Sequence, residues 1–144
     1  MQIKNKLINH IMVDGKKKTS EKILLKSFKK IQKNSNKQSK SLIKLAITHS
    51  TPIFRLHKIV NNKKKKKKIK EIPAFIAKTF ARTSLAIKFI LTNIKNKNSN
   101  NFCTKLKQEI LITAQSKGTS IELKNNLQKQ VLLKKRFFTY YRWK

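Results

Sequence analysis

Two glycines, two prolines, one cysteine and five acidic residues are all that 144 positions contain of these types. Each scarcity removes a class of protein. With glycine only at 15 and 118, no glycine-rich loop exists to cradle a phosphate in backbone amides, which removes the P-loop and dinucleotide-binding designs. The single thiol, Cys103, cannot form an internal disulfide and fits a reducing compartment; it reads as a small buried apolar residue rather than a nucleophile. The carboxylates Asp14, Glu21, Glu71, Glu109 and Glu122 stand apart along the chain, three of them where helix ends or caps explain them, so no acid–base pair and no enzyme is expected. His10, His49 and His57 lie on three separate expected elements without spaced partners, so neither a metal site nor a cofactor is expected. The longest apolar run, LAIKFIL at 85–91, is broken by Lys88 and falls far short of the ~18 residues of a membrane span. The opening MQIKNKLINHIM starts directly with helical periodicity, so no removable targeting peptide is expected.

What the chain has in excess is positive charge: 37 Lys and Arg against 5 Asp and Glu, a formal net charge of +32. A folded body so charged repels itself, which points to a polyanionic partner. Only Arg55, Arg82, Arg136 and Arg142 are arginine, leaving 33 lysines. Abundant Lys, Asn and Ile with scarce Gly and Pro is also what coding drift toward A and T produces, so lysine count alone is weak evidence of function. The four arginines persist against that drift. Their guanidinium forks match phosphate bidentately, as an ammonium cannot, and they are the stronger candidates for specific contacts.

Length gives one domain, 1–144, and 38% apolar residues are enough for a core. Ile3, Leu7, Ile8, Ile11 and Met12 fall on one face of a first helix, closed by Asp14-Gly15. Lys16, Lys17 and Lys18 are expected to form the connecting loop, Thr19 to cap a second helix and Glu21 to lie in its first turn. Ile23, Leu24, Phe28 and Ile31 form the buried face of that helix. The polar stretch 34–41 reads as a loop. Leu42, Ile43, Ala46 and Ile47 mark a third helix, ended at HSTP because Pro52 forces Thr51 out of helical geometry.

IFRLHKIV at 53–60 and IKEIPAFI at 69–76 read as two strands flanking the lysine run Lys63, Lys64, Lys65, Lys66, Lys67 and Lys68. A β-hairpin over about 53–76 with a lysine tip follows, although no Asn-Gly or Gly-Gly turn secures it. A fourth helix places Phe80, Ile87, Ile90, Leu91 and Ile94 on one face. A fifth places Phe102, Leu106, Ile110 and Ala114, and a last carries Leu123, Leu127, Val131, Leu132 and Phe138. The fold class is therefore mainly α, a bundle of about six helices with one β-hairpin protruding between the third and fourth. The terminus joins Arg136, Tyr140, Tyr141, Arg142, Trp143 and Lys144, where cations pair with phosphates and rings stack on bases or sugars. Phe138 is assigned to the core; Arg142 and one or both tyrosines face a partner.

The motif IMVDGKKKTSEKI at 11–23 closely resembles the small-subunit ribosomal protein seven family, in which a helix ends in Asp-Gly-Lys-Lys before a Ser/Thr-capped second helix. LAIKFI at 85–90, SKGTSI at 116–121 and FFTYYRW at 137–143 agree with the family in order and spacing, so the resemblance covers nearly the whole chain. It implies a helical bundle with a protruding hairpin that binds the 3′ major domain of small-subunit ribosomal RNA and organises the subunit head among neighbouring head proteins. It also implies a hairpin close to exit-site transfer RNA and the messenger RNA exit path. Carried over by position, Lys16 and Lys17 match the family's basic loop, with Lys18 beside them. Arg82 and Lys88 match basic positions of the fourth helix, and Arg136 and Arg142 those of the last. On the hairpin, Arg55, Lys58 and the six tip lysines complete the expected RNA-binding set.

The chain departs from bacterial members where it begins almost at the first helix, without their basic arm. Asn61, Asn62 and lysines replace a tip with arginines and a Gly-Gly pair. Lys135 stands where asparagine is common, and the chain stops one residue after Arg142-Trp143. These departures and the A/T-leaning composition point to an organelle-encoded member, mitochondrial in preference to plastid because of its divergence. The alternative among binding proteins is a non-ribosomal basic protein that packages nucleic acid. A cationic protein acting on membrane surfaces is disfavoured, because apolar faces recurring in six helices are needed for an internal core.

Overall fold

In a computed structural model of the protein, residues 2–34, 38–61, 68–95 and 101–140 are described. The apolar spacing of the first segment forms α1 (Gln2–Ile11), burying Leu7 and Ile8 with Ile3 and Ile11 half-covered beside them. Asp14 and Gly15 both take left-handed backbone angles, φ 52° and 70°, a region that Gly, and after it Asp and Asn, enter at least cost. These two residues reverse the chain so quickly that Ser20 N–H already donates to Lys16 O at 3.3 Å, and α2 (Lys17–Asn34) begins at once. Lys17 and Lys18 are therefore the first residues of α2 rather than a loop. Thr19 lies inside the helix, its hydroxyl donating back to Lys16 O at 2.6 Å instead of capping. Glu21 falls beyond the first turn, which holds no acid.

The polar stretch expected as a loop over 34–41 is shorter than that. Asn34 ends α2, and α3 (Ser39–Ser50) has already begun at Ser39. Pro52 ends α3 as its sequence requires, with Thr51 extended at φ −71°, ψ 117°. Strands β1 (Phe54–Asn61) and β2 (Lys68–Phe75) form an antiparallel pair in register from Phe54↔Phe75 to Asn61↔Lys68. Then follow α4 (Thr79–Lys95), α5 (Phe102–Ala114), α6 (Thr119–Leu133) and a 3₁₀ helix at Lys135–Tyr140.

The core is a single cluster drawn from α1 to α5, with α5 contacting α2, α3 and α4. Fully covered Leu24, Ile31, Ile87, Ile94 and Leu106 anchor it, each burial contributing about 1.5–3 kcal/mol. Three expectations of burial fail. Phe80 is 65% exposed, because in the first turn of α4 its ring covers the Lys6 ammonium instead of the core. Leu123 and Leu132 of α6 face outward, leaving Val131 as the buried apolar residue of that helix. Phe138 is not on the last α-helix; it sits in the 3₁₀ segment and packs on β1. Cys103 is half-buried, its Sγ 3.6 Å from Ile23 O.

Candidate nucleic-acid interface

The hairpin is fixed at its root by contacts from three later elements. Alternation along the strands puts Phe54, Leu56 and Lys58 on one face with Phe75, Pro73 and Glu71, and Arg55 and His57 on the other with Ala74 and Ile72. Phe54 meets Phe75 edge-on at 6.1 Å and Phe138 of the 3₁₀ helix at 5.6 Å. Glu71 accepts a hydrogen bond from the Lys134 ammonium, just after α6, and lies 3.7 Å from Lys58 Nζ. The Lys134 hydrogen bond, followed by its charge and that of Lys58, holds the Glu71 carboxyl below its ordinary pKa. Where β2 runs into α4, Arg82 Nε donates to Ile76 O at 2.6 Å while its guanidinium lies 4.8 Å over the Phe75 ring. Pro73, which offers no N–H, is tolerated because a two-stranded sheet is all edge.

A second basic group lies along the α1–α4 seam. Lys6 Nζ donates to Phe80 O at 3.3 Å and to the Thr83 hydroxyl, and stands 3.7 Å over the Phe80 ring. Burial first, then the charges of Lys88 and Lys6, push the His10 pKa down. Along this strip Lys6 is buried with its ammonium committed to Phe80 and Thr83, and the lowered pKa leaves His10 largely uncharged near neutral pH, so the exposed charge is that of Lys88. Burial and Arg55 likewise lower the pKa of His57 on the hairpin.

A third group is the α1–α2 turn, where Lys16, Lys17 and Lys18 are all exposed. They crowd the positive end of the α2 dipole with no acid in the first turn, an arrangement that favours an anion beside it.

The structure distributes the expected site residues as follows. Arg55, Lys58, Arg82 and Arg136 lie on the hairpin or on elements adjoining its root, with Arg136 exposed and 4.9 Å over the Phe137 ring. Arg82 is half-covered and half committed to holding the hairpin. Lys88 belongs to the α1–α4 strip, and Lys16–Lys18 to a separate turn. Lys63, Lys64, Lys65, Lys66, Lys67, Tyr141, Arg142 and Trp143 lie outside the described residues; Lys68 and Tyr140 are described in backbone only.

Sequence reasoning missed Lys6, His10, Lys134 and Glu109. The i, i+4 spacing of Lys6 and His10 was the available signal for the first two. Glu109 is 1% exposed and accepts hydrogen bonds from Ser120 and Thr113 hydroxyls. With Glu71 shared between two lysines, two of five carboxylates are turned to internal use, and the surface is left overwhelmingly cationic. Among the described residues no group of three or more His, Cys, Asp or Glu could hold a metal ion, and no helix is long and apolar enough to cross a membrane.

The sequence is similar to those of known small-subunit ribosomal proteins. The chain is 31% identical over 122 residues to the small ribosomal subunit protein uS7c of Euglena longa, covering 85% of this chain and 66% of that protein. It is 30% identical over 138 residues to uS7 of Pseudothermotoga lettingae, covering 96% and 85%, and 25% identical over 142 residues to uS7 of Helicobacter hepaticus, covering 99% and 88%. With the family model also matching residues 1–133, the chain belongs to the ribosomal protein S7p/S5e family, whose members are structural, non-enzymatic proteins of the small ribosomal subunit.

Proposed function

We propose that the protein is a single RNA-binding domain, residues 1–144, that binds the 3′ major domain of ribosomal RNA in an organellar small subunit and organises its head. The observation that carries this reading is the rooted basic hairpin. Arg82, Glu71–Lys134 and Phe54–Phe138 fasten it to three elements, so its charges are presented in a fixed direction. Binding works by replacing condensed counterions: each phosphate neutralised contributes a slope of roughly −0.7 to −0.9 in log K against log salt. Lysines supply most of that neutralisation, whereas Arg55, Arg136 and Arg142 fix register. Lys16–Lys18 and Lys88, all exposed, extend the contact over the bundle. The hairpin tip, Lys63–Lys68, approaches exit-site transfer RNA and the messenger RNA exit path through diffuse charge.

The location we propose is the mitochondrion; the Euglena longa relative favours the plastid as the second reading. Gradient fractionation of purified organelles at moderate salt tests both. The protein is expected in the small-subunit peak of mitochondria. Recovery mostly outside the subunit, together with equal affinity for a 3′-domain fragment and for an arbitrary RNA of equal length, would instead establish a packaging protein.

A further inference from the structure

One surface feature is not accounted for by binding RNA. Between α1, α2 and α3 lies an open apolar cavity of about 710 Å³. Its floor is Leu7 and Ile43, 2% and 4% exposed, and its walls are the half-covered Ile3 and Phe28. Among the described residues the remaining lining is three ammonium groups on exposed stems, Lys4, Lys40 and Lys44, with no carboxylate. Leu7, Ile43, Ile3 and the ring of Phe28 offer no donor or acceptor to a base edge, so a nucleotide entering the groove could at most stack on Phe28 and would leave its polar edges unpaired. The apolar walls match aliphatic side chains, and the lysine rim matches carboxylates.

We propose that this groove docks a polypeptide segment of a neighbouring small-subunit protein, an amphipathic helix with apolar residues at i, i+3 and i+7 flanked by Glu or Asp. The apolar side chains fill the space over Leu7, Ile43 and Phe28, and the acidic flanks pair with Lys4, Lys40 and Lys44. The identity of the partner as a ribosomal neighbour rests on the proposed function; the chemistry of the groove does not. The groove also explains why Ile3 and Phe28 remain half-open beside a well-filled core.

The test uses the full chain and a fluorescent peptide with leucines at i, i+3 and i+7 flanked by glutamates, against a scrambled peptide of identical composition. Anisotropy is expected to give about tenfold tighter binding for the amphipathic peptide, the equivalent of one well-filled apolar contact. Ile3→Ser should abolish that preference. Reversing the rim with Lys40→Glu and Lys44→Glu, both exposed and so harmless to folding, should weaken the amphipathic peptide about tenfold and the scrambled one much less. Equal binding of the two peptides overturns the proposal, as does a preference that survives the reversal. An oligouridylate weakened by the reversal as much as the peptide would make the groove an RNA site and overturn it too. Fractionation with small subunits tests the ribosomal reading independently, so either can fail alone.

Discussion

Replacing Gly118 by alanine should destabilise the protein far more than the same change at Gly15, although both glycines follow helix ends. Gly118 holds φ 94°, ψ 170° immediately before α6, a region that costs a non-glycine residue about 1–3 kcal/mol. A Cβ there would stand 2.6 Å from Ile112 Cγ2. Ile112 is β-branched and lies in the last turn of α5, so its χ1 has little freedom to yield, and overpacking of this kind costs about 1–3 kcal/mol. Reduced freedom of the unfolded chain returns about 0.4–1 kcal/mol, which leaves a net loss of about 1–6 kcal/mol, centred on about 3 kcal/mol. At Gly15, φ is 70° and nothing lies within 4 Å of the added methyl; only the left-handed cost remains, a net of about 1 kcal/mol. For a chain of this length the central losses correspond to Tm shifts of roughly 9 °C and 3 °C. Urea unfolding followed by circular dichroism measures both. Combining Gly118→Ala with Ile112→Ala should relieve the clash and leave the backbone cost, returning about 1 kcal/mol or more. Equal losses at the two glycines, or no relief in the double variant, would refute the reasoning.

Acidification should loosen the hairpin root through Glu71. Because its folded pKa is lowered, the unfolded chain binds the extra proton first, so the contribution is intact above the ordinary carboxylate pKa and is lost as pH falls through the lowered folded value. Amide exchange of β2 should quicken over that window, and Glu71→Gln should remove the pH dependence. Arg82→Lys should behave nearly as Arg82→Ala, since an ammonium reproduces neither the Nε bond to Ile76 O nor the planar stacking on Phe75; loss of the bond costs about 1–3 kcal/mol, visible as faster exchange at Ile76 and weaker binding to a 3′-domain fragment. Arg142→Ala should reduce binding to that fragment more than Lys65→Ala does, while both lower the salt slope by about 1 or less. Equal losses for these two in filter binding would undo the distinction drawn between arginine and lysine.

Periodicity in the sequence was sufficient to mark α1 to α5, because their apolar residues recur at helical spacing and lie in one cluster, as with Leu106 and Ile110. The hairpin was legible from its flanks alone, since β-branched and aromatic residues on either side of a charged run pair better than they coil. Local rules failed where one residue's choice depended on a distant one. Phe80 reads as core by spacing but faces out because Lys6, 74 positions away, places its ammonium against that end of α4. Glu109 stands in the sequence only as an isolated carboxylate, yet it is buried where Ser120, 11 positions on, supplies a hydroxyl. The start of α2 was missed because Asp14 joined Gly15 in a left-handed conformation, compressing a loop that composition alone makes longer. The site was legible as a composition of cations and only partly as a place: nothing local tells Arg82 that it will hold the hairpin.

The contacts that fasten the hairpin also impose an order on its making. Glu71 waits for Lys134, 63 residues later, and Phe54 for Phe138. At ordinary elongation rates the interval for those 63 residues is roughly 3–13 s. Throughout it the two strands have emerged, fully charged, without their C-terminal clasp. A nascent chain can therefore sample nucleic acid with an arm held at its root by Arg82 and complete its clasp only when synthesis is nearly finished. Chains aborted before residue 134 would keep the charge and lose the aim, competing for the same RNA without holding it in register.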